Sequence, residues 1–212
     1  MGTIEKGILG GFSGKVGTVI GGNWKGIDYM RSKASRRNFK ASQRQLEQQA
    51  KFTIAIRFVQ SFSGLAEISF GNFAVRKTGI NSALSYTLKN AITGVYPAFS
   101  IAYANVLVSR GDMPNVLAPA VTVAAGSIVT WNWTDNSGVG VARATDKALL
   151  VVYCPAFNQC IYTTGGADRS VLTDSLDLSS FSGQDVQTWI GFISEDGQNV
   201  ASSFYTGMLT VL

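Results

Sequence analysis

Between Ala120 and Val211 turn signals cut the chain into seven strand-sized segments, and that rhythm constrains the fold more than any other feature of the sequence. The predicted strands are Ala120 to Ala124, Ser127 to Thr134, Lys147 to Cys154, Gln159 to Thr163, Ser170 to Leu178, Val186 to Ser194 and Ala201 to Val211. Asn136-Ser137-Gly138, Gly165-Gly166 and Asp196-Gly197 mark turns between them. Seven short strands over about 95 residues predict two packed antiparallel sheets. Val129, Trp131 and Trp133 share one face of their strand, so they are expected in the core together with Trp189 and Tyr205.

The preceding half reads differently. Ser42 and Gln45 have the spacing of a helix N-terminal capping box, and Leu46, Ala50, Ile54, Phe58 and Phe62 recur every four residues. Ile56 and Val59 widen the second half of that stripe into a buried face, and Gly64 is expected to end or bend the helix. A second helix is predicted from about Asn81 to Ile92, with Gly94 as its C-terminal cap, followed by a strand through Phe99 to Leu107. The uncharged stretch from Asn90 to Ser109 contains Pro97, Asn105 and several other polar residues, so it reads as buried strand and not as a membrane span. Arg110 to Pro114 reads as a linker. The expected fold class is therefore α+β: a basic N-terminal domain over residues 1–113, with a glycine-rich β arm and two helices, then an all-β seven-stranded sandwich over 114–212.

Nine of the first 26 residues are glycine, and the short β-type pieces among them, Lys15 to Ile20 and Gly26 to Arg31, predict a hairpin turning at Gly21-Gly22-Asn23. A ribbon of this composition buries little by itself and gains stability by lying on its own domain or on a neighbour.

The chain has 46% apolar and only 15% charged residues, and its net charge of +5 conceals a division. Residues 1–60 carry 11 basic and 3 acidic side chains, whereas residues 117–212 carry 3 and 8. Opposite charge at the two ends lets copies attract one another head to tail. There is no histidine, which removes the commonest general base and metal ligand, and no cofactor, metal site or small-molecule substrate is expected. The run Leu9-Gly10-Gly11-Phe12-Ser13-Gly14-Lys15-Val16 fails as a phosphate loop at its first and last positions. The C-terminal acids, Asp168, Asp174, Asp177, Asp185, Glu195 and Asp196, are expected in solvated turns. Arg110-Gly111-Asp112 and Asn132-Trp133-Thr134 match short adhesion and glycosylation patterns, but a linker and a strand account for them. Cys154 and Cys160 have hairpin spacing: either a disulfide or two buried thiols fits. Met1 to Gly11 lacks the apolar run of a secretory signal, which leaves the compartment unknown.

One region has a claim to chemistry. Lys15, Lys25, Arg31, Lys33, Arg36, Arg37 and Lys40, beside Trp24 and Tyr29, combine positive charge with aromatic surface. Two partners suit it: another copy of the chain, or nucleic acid along the stretch from Lys25 to Arg57, where Phe39 and Phe52 add stacking surface. The Gly14-Lys15-Val16-Gly17 stretch, the Trp24-Lys25-Gly26 turn, the basic run to Lys40, the Ser109-Arg110-Gly111 linker and the Trp131-Asn132-Trp133 strand resemble a Bacteroidota family catalogued as a domain of unknown function. The C-terminal part resembles a fibronectin type III or immunoglobulin-like sandwich, which implies binding or spacing in place of catalysis. The resulting expectation is a non-catalytic, self-assembling structural subunit of a filament, tube or shell, with a binding module for nucleic acid or protein as the alternative.

Overall fold

The computed structural model describes residues 2–4, 7, 10–34, 40–73 and 77–212. They form two compact units, residues 1–42 and 43–212.

The first unit is a four-stranded antiparallel sheet in sequence order: β1 (Thr3–Ile4), β2 (Phe12–Val16), β3 (Val19–Trp24) and β4 (Ile27–Ser32). The hairpin expected between residues 15–20 and 26–31 does not form: Lys15 pairs with Ile20 across a turn, and two hairpins take its place. β2 and β3 join through Gly17-Thr18, and β3 and β4 through Lys25-Gly26, while Gly21-Gly22-Asn23 runs inside β3. Lys25 and Gly26 both have positive φ, 49° and 84°, as a two-residue type I′ turn demands. The glycines of β3 serve a different purpose. A Cβ at Gly21 would overlap the carbonyl and ring of Phe12, and one at Gly22 would meet the Tyr29 ring. Aromatic side chains from the flanking strands lie across bare backbone, an arrangement that makes up for the side chains glycine lacks.

The second unit has three layers. β7 (Leu117–Ala124), β8 (Ile128–Thr134) and β11 (Thr173–Asp177) form a sheet in the order β11-β8-β7. β9 (Lys147–Cys154), β10 (Gln159–Thr163), β12 (Asp185–Ile193) and β13 (Phe204–Thr210) form another in the order β10-β9-β12-β13. All seven predicted strands are present, Lys147–Cys154 and Gln159–Thr163 with the predicted bounds and the others with ends shifted by up to three residues. Between the sheets lies one core containing Val129, Trp131, Trp133, Leu150, Val152, Ile190 and Phe192.

The helices cover the other face of the four-stranded sheet. Helix α1 (Gln43–Ser61) buries Ala55, Phe58 and Val59, and these join Leu149, Val151, Tyr153 and Trp189 in a second core with α2 (Ser63–Ser69) and α3 (Gly79–Asn90). The domain boundary expected at 113/114 therefore falls inside this unit. The helices have no core of their own: their apolar stripes are buried against odd-numbered residues of β9 and β12. The same double burial explains why Lys147–Cys154 is apolar almost throughout.

Three further details differ from the sequence reading. The break after α1 falls at Phe62, where the Ser61 hydroxyl donates to the Phe58 carbonyl, 2.7 Å, and Gly64 lies within α2, a helix the sequence reading did not separate from α1. Helix α3 starts two residues early because the Thr78 hydroxyl accepts the Asn81 N–H, 3.2 Å, and it ends at Asn90. Gly94, expected as its cap, lies instead in a hairpin of β5 (Ile92–Val95) and β6 (Ala98–Ile101) that replaces the predicted long strand. No helix among the described residues is long and apolar enough to cross a membrane.

Candidate interaction surface

Strand alternation sorts the first unit into two faces. Residues opposite one another in register share a face, so Lys15, Ile20 and Arg31 form one row, Gly22 and Tyr29 the next, and Trp24 and Ile27 the last. One face thus collects four of the predicted site residues: Lys15 and Arg31 at one end, Tyr29 in the middle, Trp24 at the other. Lys25 lies in the turn beyond Trp24, with its ammonium 6.0 Å from the indole centre. Lys33 follows β4, and its N–H donates to the Thr18 carbonyl, 2.7 Å. Lys40 is exposed in the segment before α1. Arg36, Arg37 and Phe39 lie outside the described residues.

The opposite face carries Val16 and Val19, then Met30 across from Gly21, then Asn23 and Asp28. Asn23 donates to the Asp28 carboxylate, 2.7 Å, and accepts the Gly26 N–H, 3.1 Å, which pins the β3–β4 turn.

Nearly all of this surface is open. Trp24 is 55% exposed, Ile27 68% and Met30 72%, and Gly21 is the single buried residue among those described in this unit. Apolar side chains exposed on both faces of one small sheet are unusual for a finished monomer.

The remaining polar clusters in the sandwich are committed to holding loops. Arg169, fully buried, donates to Asp146, 3.2 Å, Asn136, 2.6 Å, and the Pro114 carbonyl, 3.2 Å, and its guanidinium lies 3.8 Å from the Phe192 ring centre. Burial draws its pKa down and Asp146 opposes that shift. Asp146 also accepts the Arg143 N–H, 2.8 Å. This buried pair had no signal in the sequence beyond two unremarkable residues 23 positions apart. Of the acids expected in solvated turns, Asp174, Asp177 and Asp185 lie instead in β11 and β12, and Asp174 is half-buried and accepts the Ala167 N–H, 2.8 Å. Asp135, Asp177 and Asp196 cap nearby backbone N–H groups, which is ordinary turn chemistry. Asp146, Glu195 and Asp196 do line a cleft of about 320 Å³ with Arg143. Among the described residues no group of three metal-ligating side chains comes together.

Cys154 and Cys160 are free thiols. Register places Cys154 opposite Gln159 and Cys160 opposite Tyr153, so the two side chains point to opposite faces of the sheet. Cys154 enters the core between the sheets and Cys160 lies against the helical core, where burial pushes its thiol pKa up to about 12. The disulfide alternative is thereby excluded by alternation. Arg110-Gly111-Asp112 is a built-in segment in place of a free linker: Arg110 N–H donates to the Ser69 carbonyl, 3.0 Å, and Asp112 bridges Ala201.

No match is found among curated proteins. Among solved structures, the fn3 domain of the human collagen alpha-1(XX) chain matches at a TM-score of 0.33 and 13% identity, covering 49% of this chain and 91% of that one. A family model matches residues 11–207, which takes in most of the exposed sheet as well as the layered unit. The chain belongs to a family of unknown function, DUF6266.

Proposed function

We propose that the protein is a self-assembling structural subunit and that its N-terminal sheet is the surface through which copies join. The observation that carries this reading is the exposure of Trp24, Ile27, Tyr29 and Met30 on a sheet whose described residues form no core of their own. A small sheet of this kind gains most of its stability from what it lies against. Its basic residues Lys15, Lys25, Arg31 and Lys33 suit the exposed acids Asp177, Asp185, Glu195 and Asp196 of a neighbouring copy's sandwich. Contacts of that heterologous kind repeat until they close into a ring or extend as a fibre.

A second reading draws on the same face. Aromatic rings beside Lys15 and Arg31 form a platform on which single-stranded nucleic acid could stack. Light scattering and negative-stain electron microscopy on nuclease-treated full chain separate the two. Under the assembly reading, large regular particles persist without nucleic acid, and deletion of residues 2–34 leaves a folded, dispersed second unit. A nuclease-treated chain that runs as a monomer at micromolar concentration would refute assembly.

A further inference from the structure

The sheet has an open edge, and its geometry selects a partner. Among the described residues, β4 pairs with β3 alone. The Lys33 N–H donates to Thr18, so the odd-numbered residues of β4 direct their backbone groups inward to β3. In an antiparallel ladder the alternate residues then direct theirs outward, leaving the N–H and C=O groups of Asp28, Met30 and Ser32 on the open side.

Two of the other edges, β7 and β13, carry features that discourage pairing. β7 has Ala118 at φ 46°, Pro119, and a register shift between Leu117 and Ala120. β13 has Gly207 at φ 116° opposite the register shift between Thr188 and Trp189. Bulges and prolines of this type blunt edges against association. β4 has neither, and its register with β3 runs unbroken over six residue pairs.

Resting on the reading that the N-terminal sheet is the assembly surface, we propose that β4 pairs antiparallel with β4 of a second copy about a two-fold axis at Met30. Every register centred on a residue keeps like faces together, and three such centres lie in the middle of β4. Centring on Arg31 sets two arginines directly opposite each other, which is destabilising. Centring on Tyr29 sets Asp28 against Met30 and leaves Ser32 facing a turn. Centring on Met30 sets Tyr29 against Arg31 and Asp28 against Ser32, and it pairs every outward group of Asp28, Met30 and Ser32 in about six backbone hydrogen bonds. Tyr29 and Arg31 then form two cation–π pairs on the aromatic face. The result is one continuous eight-stranded sheet with Met30 and its counterpart on the opposite face. Because both copies are basic here, this joint strengthens or holds as salt rises, whereas docking on acidic loops weakens.

The test uses the full-length chain with two substitutions. Met30→Pro removes an outward N–H without removing a bond to β3, since proline is tolerated at such an edge position. The expected result is loss of the dimeric unit by sedimentation with unchanged far-UV circular dichroism. Met30→Cys places two thiols on residues whose Cα atoms are about 5.5 Å apart, within disulfide reach; a covalent dimer should form on oxidation, and Asp28→Cys should give none. Should Met30→Pro unfold the sheet, the cysteine variants decide. Failure of Met30→Cys to cross-link, or a Met30→Pro protein that assembles as wild type, overturns the edge register. If such a protein assembles while deletion of residues 2–34 disperses it, the edge joint fails and sheet-mediated assembly stands; if the deletion assembles too, both fail.

Discussion

Replacing Gly21 by alanine should dismantle the N-terminal sheet while leaving the rest of the chain folded. A Cβ there would overlap both the Phe12 carbonyl oxygen and the Phe12 ring, and the oxygen belongs to backbone that cannot rotate away. Forcing a methyl group into a filled site of this kind costs about 1–3 kcal/mol. A four-stranded sheet in which Gly21 is the single buried residue among those described has little margin to absorb such a loss. Gly22→Ala is the matched control: its new Cβ would meet the Tyr29 hydroxyl at 3.0 Å, at the far end of a side chain that can turn aside. The assay is hydrogen exchange read by mass spectrometry on peptides covering 10–34, with peptides of 147–154 and 185–193 as internal reference. The expected pattern is loss of protection in 10–34 for Gly21→Ala alone, with dispersal of any assembly. If Gly21→Ala keeps both its protection and its particles, Phe12 does not lie across β3 and the glycine argument is refuted.

Other expectations follow from the layered unit and its charges. Arg169→Met leaves Asp146 buried without its guanidinium and should lower stability in urea by about 3–5 kcal/mol, while Arg169→Met with Asp146→Asn should recover much of that, because breaking a buried pair costs more than replacing it; additive losses would contradict the pairing. The Cys160 thiol, held near 12, should resist alkylation at pH 8 in the native chain and react on unfolding. Since its pKa is raised on folding, the associated stability is intact below about pH 8.5 and declines by up to about 1.4 kcal/mol per pH unit as pH rises towards 12, so a urea midpoint rising over that range would count against it. If assembly stabilises the sheet, protection of residues 10–34 should also depend on concentration, by about 2.7 kcal/mol at a hundred times the dissociation constant; protection that ignores dilution would place the stabilising partner within the same chain.

How much of this was legible depended on whether the deciding interaction was local. The seven sandwich strands were readable because alternation and turn residues sit within each segment, as in Ile128–Thr134, where Val129, Trp131 and Trp133 face inward. The turn at Lys25-Gly26 was misplaced because two adjacent glycines and an asparagine imitate one; only the rings of Phe12 and Tyr29, from other strands, show why Gly21 and Gly22 belong inside β3. The helical layer could have been anticipated: Lys147–Cys154 shows no polar alternation, which means burial on both faces. The grouping of Lys15, Tyr29, Arg31 and Trp24 on one face depended on register, which the misplaced turn had shifted.

The helical layer also narrows where a partner can bind. A two-layer sandwich offers the outer faces of both its sheets, but here α1 and α3 cover the outer face of β10-β9-β12-β13 and enclose Leu149, Val151 and Trp189. The other outer face, on β11-β8-β7, presents mainly small or polar residues, Thr122, Asn132, Thr173 and Ser175, with Ile128 as an exposed large apolar side chain. The second unit also exposes single apolar side chains such as Val95 and Met208, and its exposed acids Asp177, Asp185, Glu195 and Asp196 are suited to meeting charge. The first unit offers the complement: Trp24, Ile27, Tyr29 and Met30 flanked by Lys15, Arg31 and Lys33. Interface energy concentrates in aromatic and arginine anchors that become fully desolvated, with rim charges setting orientation and rate. On that basis the N-terminal sheet supplies the anchors and the sandwich supplies the charge, so one chain holds both halves of the proposed contact.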